Sequence, residues 1–309
     1  MGLALLCAGQ GAQHPAMFQR LAAEPAAETA LELGSRCAGL DLRRLADNAS
    51  PDELTSNRMA QLLVVTHALG AAAALAECGV EPAVCAGYSV GEVAAHCCAG
   101  AWSAATAIDL TLRRAVLMDE ACGAAATPLG MAALVGLTIR RAERLAAEHG
   151  CEIAIINGPD HVVLGGPAGA VEDIVALAPE LGARHARRLP VQVASHTAFI
   201  DAAVEPFAGV LREADWRVPR NAVLAGLDGR PVLEKPVMVD TLSRQIGQRL
   251  DWARCLECVV EHGATAVLEI GPGRALARMV QSRYPQLPAR SFEDFRSATG
   301  AARWAGRHA

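Results

Sequence analysis

Apolar residues along this chain fall into runs of two lengths, and the two alternate. Short, nearly continuous runs bounded by glycine or proline read as buried strands. They are Leu3-Ala4-Leu5-Leu6-Cys7, Pro82-Ala83-Val84-Cys85-Ala86, Val223 to Gly226 and Ala266 to Ile270. Longer segments carry polar residues at helical intervals, as in Gln61-Leu62-Leu63-Val64-Val65-Thr66-His67. These predict a helix beginning near Pro15, one from Met59 to Cys78 closed by Gly79, and one from Ser103 to Cys122 with Ser103 as N-cap. Further helices are predicted over Phe199 to Arg212, Met238 to Leu250, Ala253 to His262 and onward from Arg274. A last strand and helix flank Ser291-Phe292-Glu293-Asp294-Phe295. Such alternation predicts an α/β protein with a mostly parallel sheet covered on both faces.

The rhythm changes in the middle of the chain. Gly123 to Pro128 is a small-residue stretch that reads as a hinge. After it come a strand from Met131 to Leu137, a helix from Ile139 to His149 and a strand from Glu152 to Ile156. A turn at Asn157-Gly158-Pro159-Asp160 leads to a strand from His161 to Leu164, a helix from Ala168 to Leu181 and a strand from Ala186 to Leu189. This β-α-β-β-α-β order is the split βαβ, ferredoxin-like pattern. It predicts a subdomain at 124–191 inserted into a main domain made of 1–123 and 192–309.

The sharpest local signal is Gly87-Tyr88-Ser89-Val90-Gly91, with a strand before it and a helix after it. That is the context of a nucleophile elbow: the glycines let strand and helix pack closely, and the hydroxyl is held out at a helix N-terminus. Taken alone, the motif fits either a nucleophile or an ordinary N-cap serine. A glycine-broken loop, Gly9-Gln10-Gly11-Ala12-Gln13, follows the first strand. It lacks the Lys-Ser/Thr of a P-loop and the third glycine of a dinucleotide fingerprint, so it predicts backbone N–H donors and not a nucleotide site.

Composition narrows the possibilities. With 309 residues, 52% of them hydrophobic and only 4% aromatic, the core is built from small aliphatic side chains. A net charge of −5 without blocks of like charge points to neither nucleic acid nor an anionic membrane surface. No membrane span and no signal peptide are expected, which places the chain in the cytoplasm. The ten cysteines are scattered, and the single Cys255-x-x-Cys258 pair sits in a predicted helix, so reduced and mostly buried thiols are expected. His67, His149, His161 and His185 show no ligand spacing, and no metal site is assigned.

Several stretches then fall in one order: Gly9-Gln10-Gly11-Ala12-Gln13, the Gly-Tyr-Ser-Val-Gly-Glu elbow, Arg114-x-x-x-Met118, Asn157-Gly158-Pro159, Ser195-His196 and Glu269-Ile270-Gly271-Pro272-Gly273. Over essentially its whole length the chain resembles the malonyl-CoA:acyl-carrier-protein transacylase family. The resemblance implies an α/β-hydrolase-like parallel sheet core with an inserted ferredoxin-like subdomain. Leu227-Asp228-Gly229-Arg230-Pro231 and Arg290 to Ser297 are similar to the epsilon, acyltransferase subunit of bacterial malonate decarboxylase.

The resemblance also implies roles. Ser89 is the acyl-accepting nucleophile and His196 the general base, later the acid. The backbone carbonyl of His262 orients that histidine, where the family commonly has Gln. The N–H groups of Gln10 and Val90 form the oxyanion hole, and Arg114 pairs with the malonyl carboxylate. Asn157, first a turn residue, gains a minor site role. Tyr88 stands where the fatty-acid synthesis enzymes usually carry His. The expected substrate is malonyl-CoA, with no bound cofactor. The acceptor is the phosphopantetheine-type thiol of an acyl carrier protein, and other malonate decarboxylase subunits join as partners. The alternatives are a transacylase of fatty-acid or polyketide synthesis and a non-catalytic carrier-docking scaffold.

Overall fold

The computed structural model of the chain describes residues 2–308. Strand β1 (Gly2–Cys7) leads through turns and two short 3₁₀ segments into helices α1 (Glu28–Ala38), α2 (Leu42–Asn48), α3 (Pro51–Thr55) and α4 (Asn57–Glu77). Strand β2 (Val84–Gly87) is followed by α5 (Gly91–Cys98) and α6 (Ala104–Gly123). The middle segment holds β3 (Leu129–Val135), α7 (Ile139–Glu148), β4 (Glu152–Gly158), β5 (His161–Pro167), α8 (Ala168–Leu177) and β6 (His185–Arg188). The chain then gives α9 (Val204–Glu213), β7 (Ala222–Leu224), α10 (Lys235–Arg244), β8 (Leu250–Asp251) and α11 (Trp252–Glu261). It ends with β9 (Ala264–Ile270), α12 (Ala275–Arg283), β10 (Ala289–Ser291) and α13 (Ala298–His308).

The first sheet has the order β10-β9-β1-β2-β7, and every neighbouring pair is parallel. All six residues of β1 are buried, as a central strand covered on both faces requires. Period-two alternation divides its side chains between two cores. Leu3, Leu5 and Cys7 join Cys85 and the residues of α4, α5 and α6, whereas Ala4 and Leu6 join Val84, Ala86 and the residues of α11 and α12. Helix α4 alone, among the described residues, is long and apolar enough to cross a membrane, and most of it is buried inside the protein.

The second sheet has the order β6-β3-β5-β4-β8. Its first four strands pair antiparallel, and the two helices of the same segment, α7 and α8, supply its core with Leu145 and Ile174. The short β8, which comes from later in the chain, adds parallel to β4.

Several boundaries differ from the sequence expectation; the helix expected from Phe199, for one, opens as a 3₁₀ segment at Ala198–Ala203 and becomes α9 only at Val204. The region after Pro15 forms turns and short 3₁₀ segments, not a helix, because Ala16 sits in the left-handed region at φ 68°. Helix α8 stops at Leu177 before Pro179, whose ring cannot extend a helix. Helix α10 ends at Arg244, six residues before Leu250, and the freed residues turn back to form β8.

Candidate active site

Strand β2 ends at Gly87 and α5 begins at Gly91, leaving Ser89 at φ 55° in the left-handed region. Both glycines are sterically required. A Cβ on Gly87 would lie 2.1 Å from the Glu92 nitrogen, and one on Gly91 would lie 2.2 Å from the Cys7 carbonyl oxygen. The backbone strain at Ser89 is therefore imposed by close packing of β2, α5 and β1, the strand–turn–helix geometry that the motif predicts.

His196 sits at φ 65° and is buried. Its main-chain N–H donates to Ile246 O at 2.7 Å, and its Nδ1–H donates to the main-chain oxygen of Gln245. A carbonyl can only accept, so the proton resides on Nδ1 and Nε2 is the free acceptor. Ser89 Oγ–H donates to Nε2 at 2.8 Å. Burial, reinforced by the nearby Arg114 cation, pushes the ring down to about 3, against the opposing bond to Gln245. His196 is thus neutral across the physiological pH range, with Nε2 as an acceptor.

The orienting carbonyl expected at His262 is instead that of Gln245. His262 caps α11, and its own Nδ1–H donates to Cys258 O at 2.8 Å. The physical reason is the early end of α10: Gln245 caps that helix, so its carbonyl is released from the intrahelical ladder and faces His196.

Arg114 projects from α6 into the same centre and is 1% exposed. It donates to Ser89 Oγ at 3.3 Å, to Gln61 Oε1 at 2.7 Å and to Gln245 Oε1 at 3.2 Å, while its Nε has no partner. Gln61 is held in turn by donating to Asn57 Oδ1 at 2.7 Å. Burial pulls the guanidinium down to about 10, which leaves it charged at neutral pH. Every direct acceptor around it is neutral. Arg113, one residue earlier and rotated by about 100°, points outward and pairs with Asp109 at 2.9 Å.

Gln10 lies in the loop after β1, and Val90 is the N-cap of α5. Among the described residues neither N–H has a hydrogen-bond acceptor. A cavity of about 720 Å³ opens between the two sheets, with Gln10, Tyr88, Asn157, Leu189 and Arg278 in its wall. Ser89, His196 and Arg114 are not in its wall; Tyr88, the residue before Ser89, is. Tyr88 packs edge-on against Trp252 at 5.2 Å. Asn157 is buried, donates to His161 Nε2 at 3.4 Å and leaves its Oδ1 unpartnered. Among the described residues, no group of three or more His, Cys, Asp or Glu is placed to hold a metal ion.

Gln245, Gln61 and Glu92 are the parts of this centre that the sequence reading missed as site residues. Glu92 carried a signal, a carboxylate directly after the second elbow glycine. The two glutamines carried none, because nothing local sets them apart from solvated helix residues.

A strained serine bonded to a neutral, carbonyl-oriented histidine, with free backbone N–H groups nearby, has the arrangement of an enzyme centre. Residues 4–305 match the acyl transferase domain family, and the chain belongs to it. It is 33% identical over 298 residues to the malonyl CoA-acyl carrier protein transacylase of Mycobacterium tuberculosis, covering 94% of this chain and 96% of the relative. The crystal structure of an acyl-carrier-protein S-malonyltransferase from Burkholderia pseudomallei superposes with a TM-score of 0.90 at 28% identity, covering 98% of this chain and all of the other. A malonyl-transacylase in complex with the holo acyl-carrier protein of a type II polyketide synthase gives a TM-score of 0.91 at 29% identity, covering 98% and 99%.

Proposed function

We propose that this chain moves a malonyl group from malonyl-CoA, through an ester on Ser89, to the phosphopantetheine-type thiol of an acyl carrier protein. The observation that carries the reading is Ser89 Oγ bonded at once to His196 Nε2 and to a buried arginine with no acidic partner in contact. In the first half-reaction Ser89 Oγ attacks the thioester carbonyl while its proton passes to Nε2. The N–H groups of Gln10 and Val90 receive the oxyanion. Collapse expels the coenzyme A thiolate, which takes the proton back from His196. In the second half-reaction His196 deprotonates the carrier thiol, whose sulfur attacks the malonyl ester, and the departing Ser89 Oγ takes that proton back from His196. Arg114, lacking a carboxylate partner, suits the free carboxylate of malonyl, since its planar fork can bind both oxygens. Asn157 takes a minor part in the cavity wall, where its free Oδ1 is an acceptor.

The relatives favour a transacylase of fatty-acid or polyketide synthesis over the malonate decarboxylase assignment, which rests only on Leu227 to Pro231 and Arg290 to Ser297. Within the fold we read 1–123 and 192–309 as a hydrolase-like catalytic domain and 124–191 as a ferredoxin-like subdomain. All ten cysteines are free, which supports a reducing, cytoplasmic setting. Intact mass after incubation with malonyl-CoA tests the function. One malonyl adduct is expected on the wild type and none on Ser89→Ala. A wild type without an adduct refutes the reading and favours the carrier-docking scaffold.

A further inference from the structure

The carboxyl of Glu92 takes no part in the acyl transfer just described, yet it touches the residue on which both working side chains lean. Glu92 is fully buried in the first turn of α5. Its Oε2 accepts from Gln245 Nε2 at 2.8 Å and from the Gly226 N–H at 2.9 Å, and its Oε1 is buried without a partner. The other end of the same amide, Gln245 Oε1, accepts from Arg114 at 3.2 Å, and the main-chain oxygen of Gln245 accepts from His196 Nδ1–H.

A side-chain amide can present either end, and only one end suits each neighbour here. Arginine offers donors alone, so it needs the oxygen of Gln245. If the amide turned over, N–H would face N–H at Arg114 and oxygen would face oxygen at Glu92. Glu92 is the acceptor that forbids this turn. Gln245 is also the cap of α10, where the carbonyl has left the intrahelical ladder. A side chain anchored at its tip therefore helps to hold that carbonyl toward His196.

We propose that Glu92 is a positioning residue of the acyl transfer, fixing the Gln245 amide so that one glutamine aligns both the base His196 and the carboxylate-reading Arg114. The inference rests on the transacylase reading above. Burial holds the Glu92 carboxyl up to about 8, against the opposing bonds from Gly226 and Gln245 and the opposing charge of Arg114, with Asp228 adding to the rise. Both N–H bonds fall on Oε2, which leaves Oε1 to carry the proton. A glutamine at this position reproduces the acceptor.

The test measures single-turnover acylation of Ser89 by malonyl-CoA and by acetyl-CoA, with intact mass as the readout, in wild type, Glu92→Gln, Glu92→Ala, Gln245→Ala and the double Ala variant. Glu92→Ala is expected to slow acetyl acylation about tenfold, through His196, and malonyl acylation about a hundredfold, through His196 and Arg114 together. Gln245→Ala should shift the malonyl-to-acetyl ratio in the same direction, and the double variant should be no slower than the worse single one. Glu92→Gln should stay within about fivefold of wild type. A fold merely weakened by the change would lower both acylations by one factor, so an unchanged ratio in Glu92→Ala overturns the proposal. Additive losses in the double variant, or a Glu92→Gln variant as impaired as Glu92→Ala, overturn it too. If Glu92→Ala does not fold, Gln245→Ala carries the ratio test, and an unchanged ratio there is equally fatal. A wild type that accepts neither acyl group refutes the functional reading and this proposal with it. A wild type that accepts malonyl while the variants keep its ratio refutes this proposal alone.

Discussion

Ser89, His196 and Arg114 meet at one hydroxyl, and the duty proposed for each has its own signature on substitution. Ser89→Ala should abolish the acyl-enzyme while leaving thermal unfolding close to wild type, because one small oxygen is removed from a backbone held by its glycine neighbours. Acyl label retained on that variant would assign the nucleophile elsewhere. His196→Ala should slow acylation by about 10²–10⁴ with malonyl-CoA binding preserved, the usual cost of a lost positioned base. A loss of only a few-fold, in stopped-flow acylation, would remove His196 from that role. Substitution of Arg114 tests substrate class. Its replacement by Ala leaves a malonyl carboxylate without a partner in a buried site, so the malonyl-to-acetyl ratio of kcat/KM should fall by about 2–4 kcal/mol, with Lys a partial rescue. Arg113→Ala is the control, since its side chain already pairs with Asp109 at the surface. An equal drop in both variants would end the assignment.

Among the elements, the β2–elbow–α5 unit is the one whose geometry was readable in advance, because sterics leave it few alternatives. Gly91→Ala tests that claim. The added Cβ would meet a main-chain oxygen of β1 and not the tip of a flexible side chain, so β1 and α5 must separate. The expected cost is on the order of 3 kcal/mol or more, seen as a fall in denaturation midpoint together with loss of acylation. A variant with wild-type stability would mean that the strand and helix can part freely. The ends of helices were less legible. Periodicity placed α4, α6 and α11 to within a few residues, and Ser103 caps α6 as expected by accepting from the Thr106 N–H at 3.1 Å. Periodicity did not mark where α10 stops. Beyond that end Gly247 packs against Asp201, where a Cβ would lie 1.9 Å from Oδ1, a close approach that only the folded chain reveals. The resemblance places the orienting carbonyl at His262, the end of α11, whereas the end of α10 supplies it from Gln245.

At the scale of the whole molecule, buried titratable groups set how stability varies with pH. Burial pushes His67, His96 and His196 each down to about 3, from an ordinary value of 6.5. The unfolded chain binds protons at these sites that the native state refuses, so their contribution is present above about pH 6.5 and is lost as pH falls from 6.5 toward 3. Glu92 and Glu269 are pushed up, to about 8 and about 7, from 4.5. They favour the native state at low pH and lose that contribution as pH rises through 7 and 8. Three histidines outweigh two carboxyls between pH 4.5 and 6.5, and Glu92 dominates above 7. The thermal midpoint should therefore peak near pH 6.5 and fall more steeply on the acid side, each unbalanced proton being worth about 1.4 kcal/mol per pH unit. Calorimetry from pH 4 to 9 checks this, and an optimum above pH 8 would contradict it. His96 has no hydrogen-bond partner on either ring nitrogen, so His96→Leu should make the acid limb shallower by one proton.

What the sequence determined by itself were the features that local chemistry forces. Glycines at 87 and 91 around Ser89 specify an elbow, apolar runs ended by glycine specify buried parallel strands, and the middle segment's strand and helix order carries over into β3 to β6 with α7 and α8. That Ser89, His196 and Arg114 come together was legible because each sits in a short motif whose order along the chain matches the family resemblance. Only the tertiary structure decided which carbonyl orients His196, which neutral acceptors hold Arg114, and that β8 leaves the main-chain run after α10 to join the second sheet. Those choices link residues more than forty positions apart, such as Arg114 with Gln61 and Gln245, or Glu92 with Gln245. No local pattern encodes them, because a buried hydrogen-bond partner is selected by which groups packing brings together and not by which residues adjoin it in the chain.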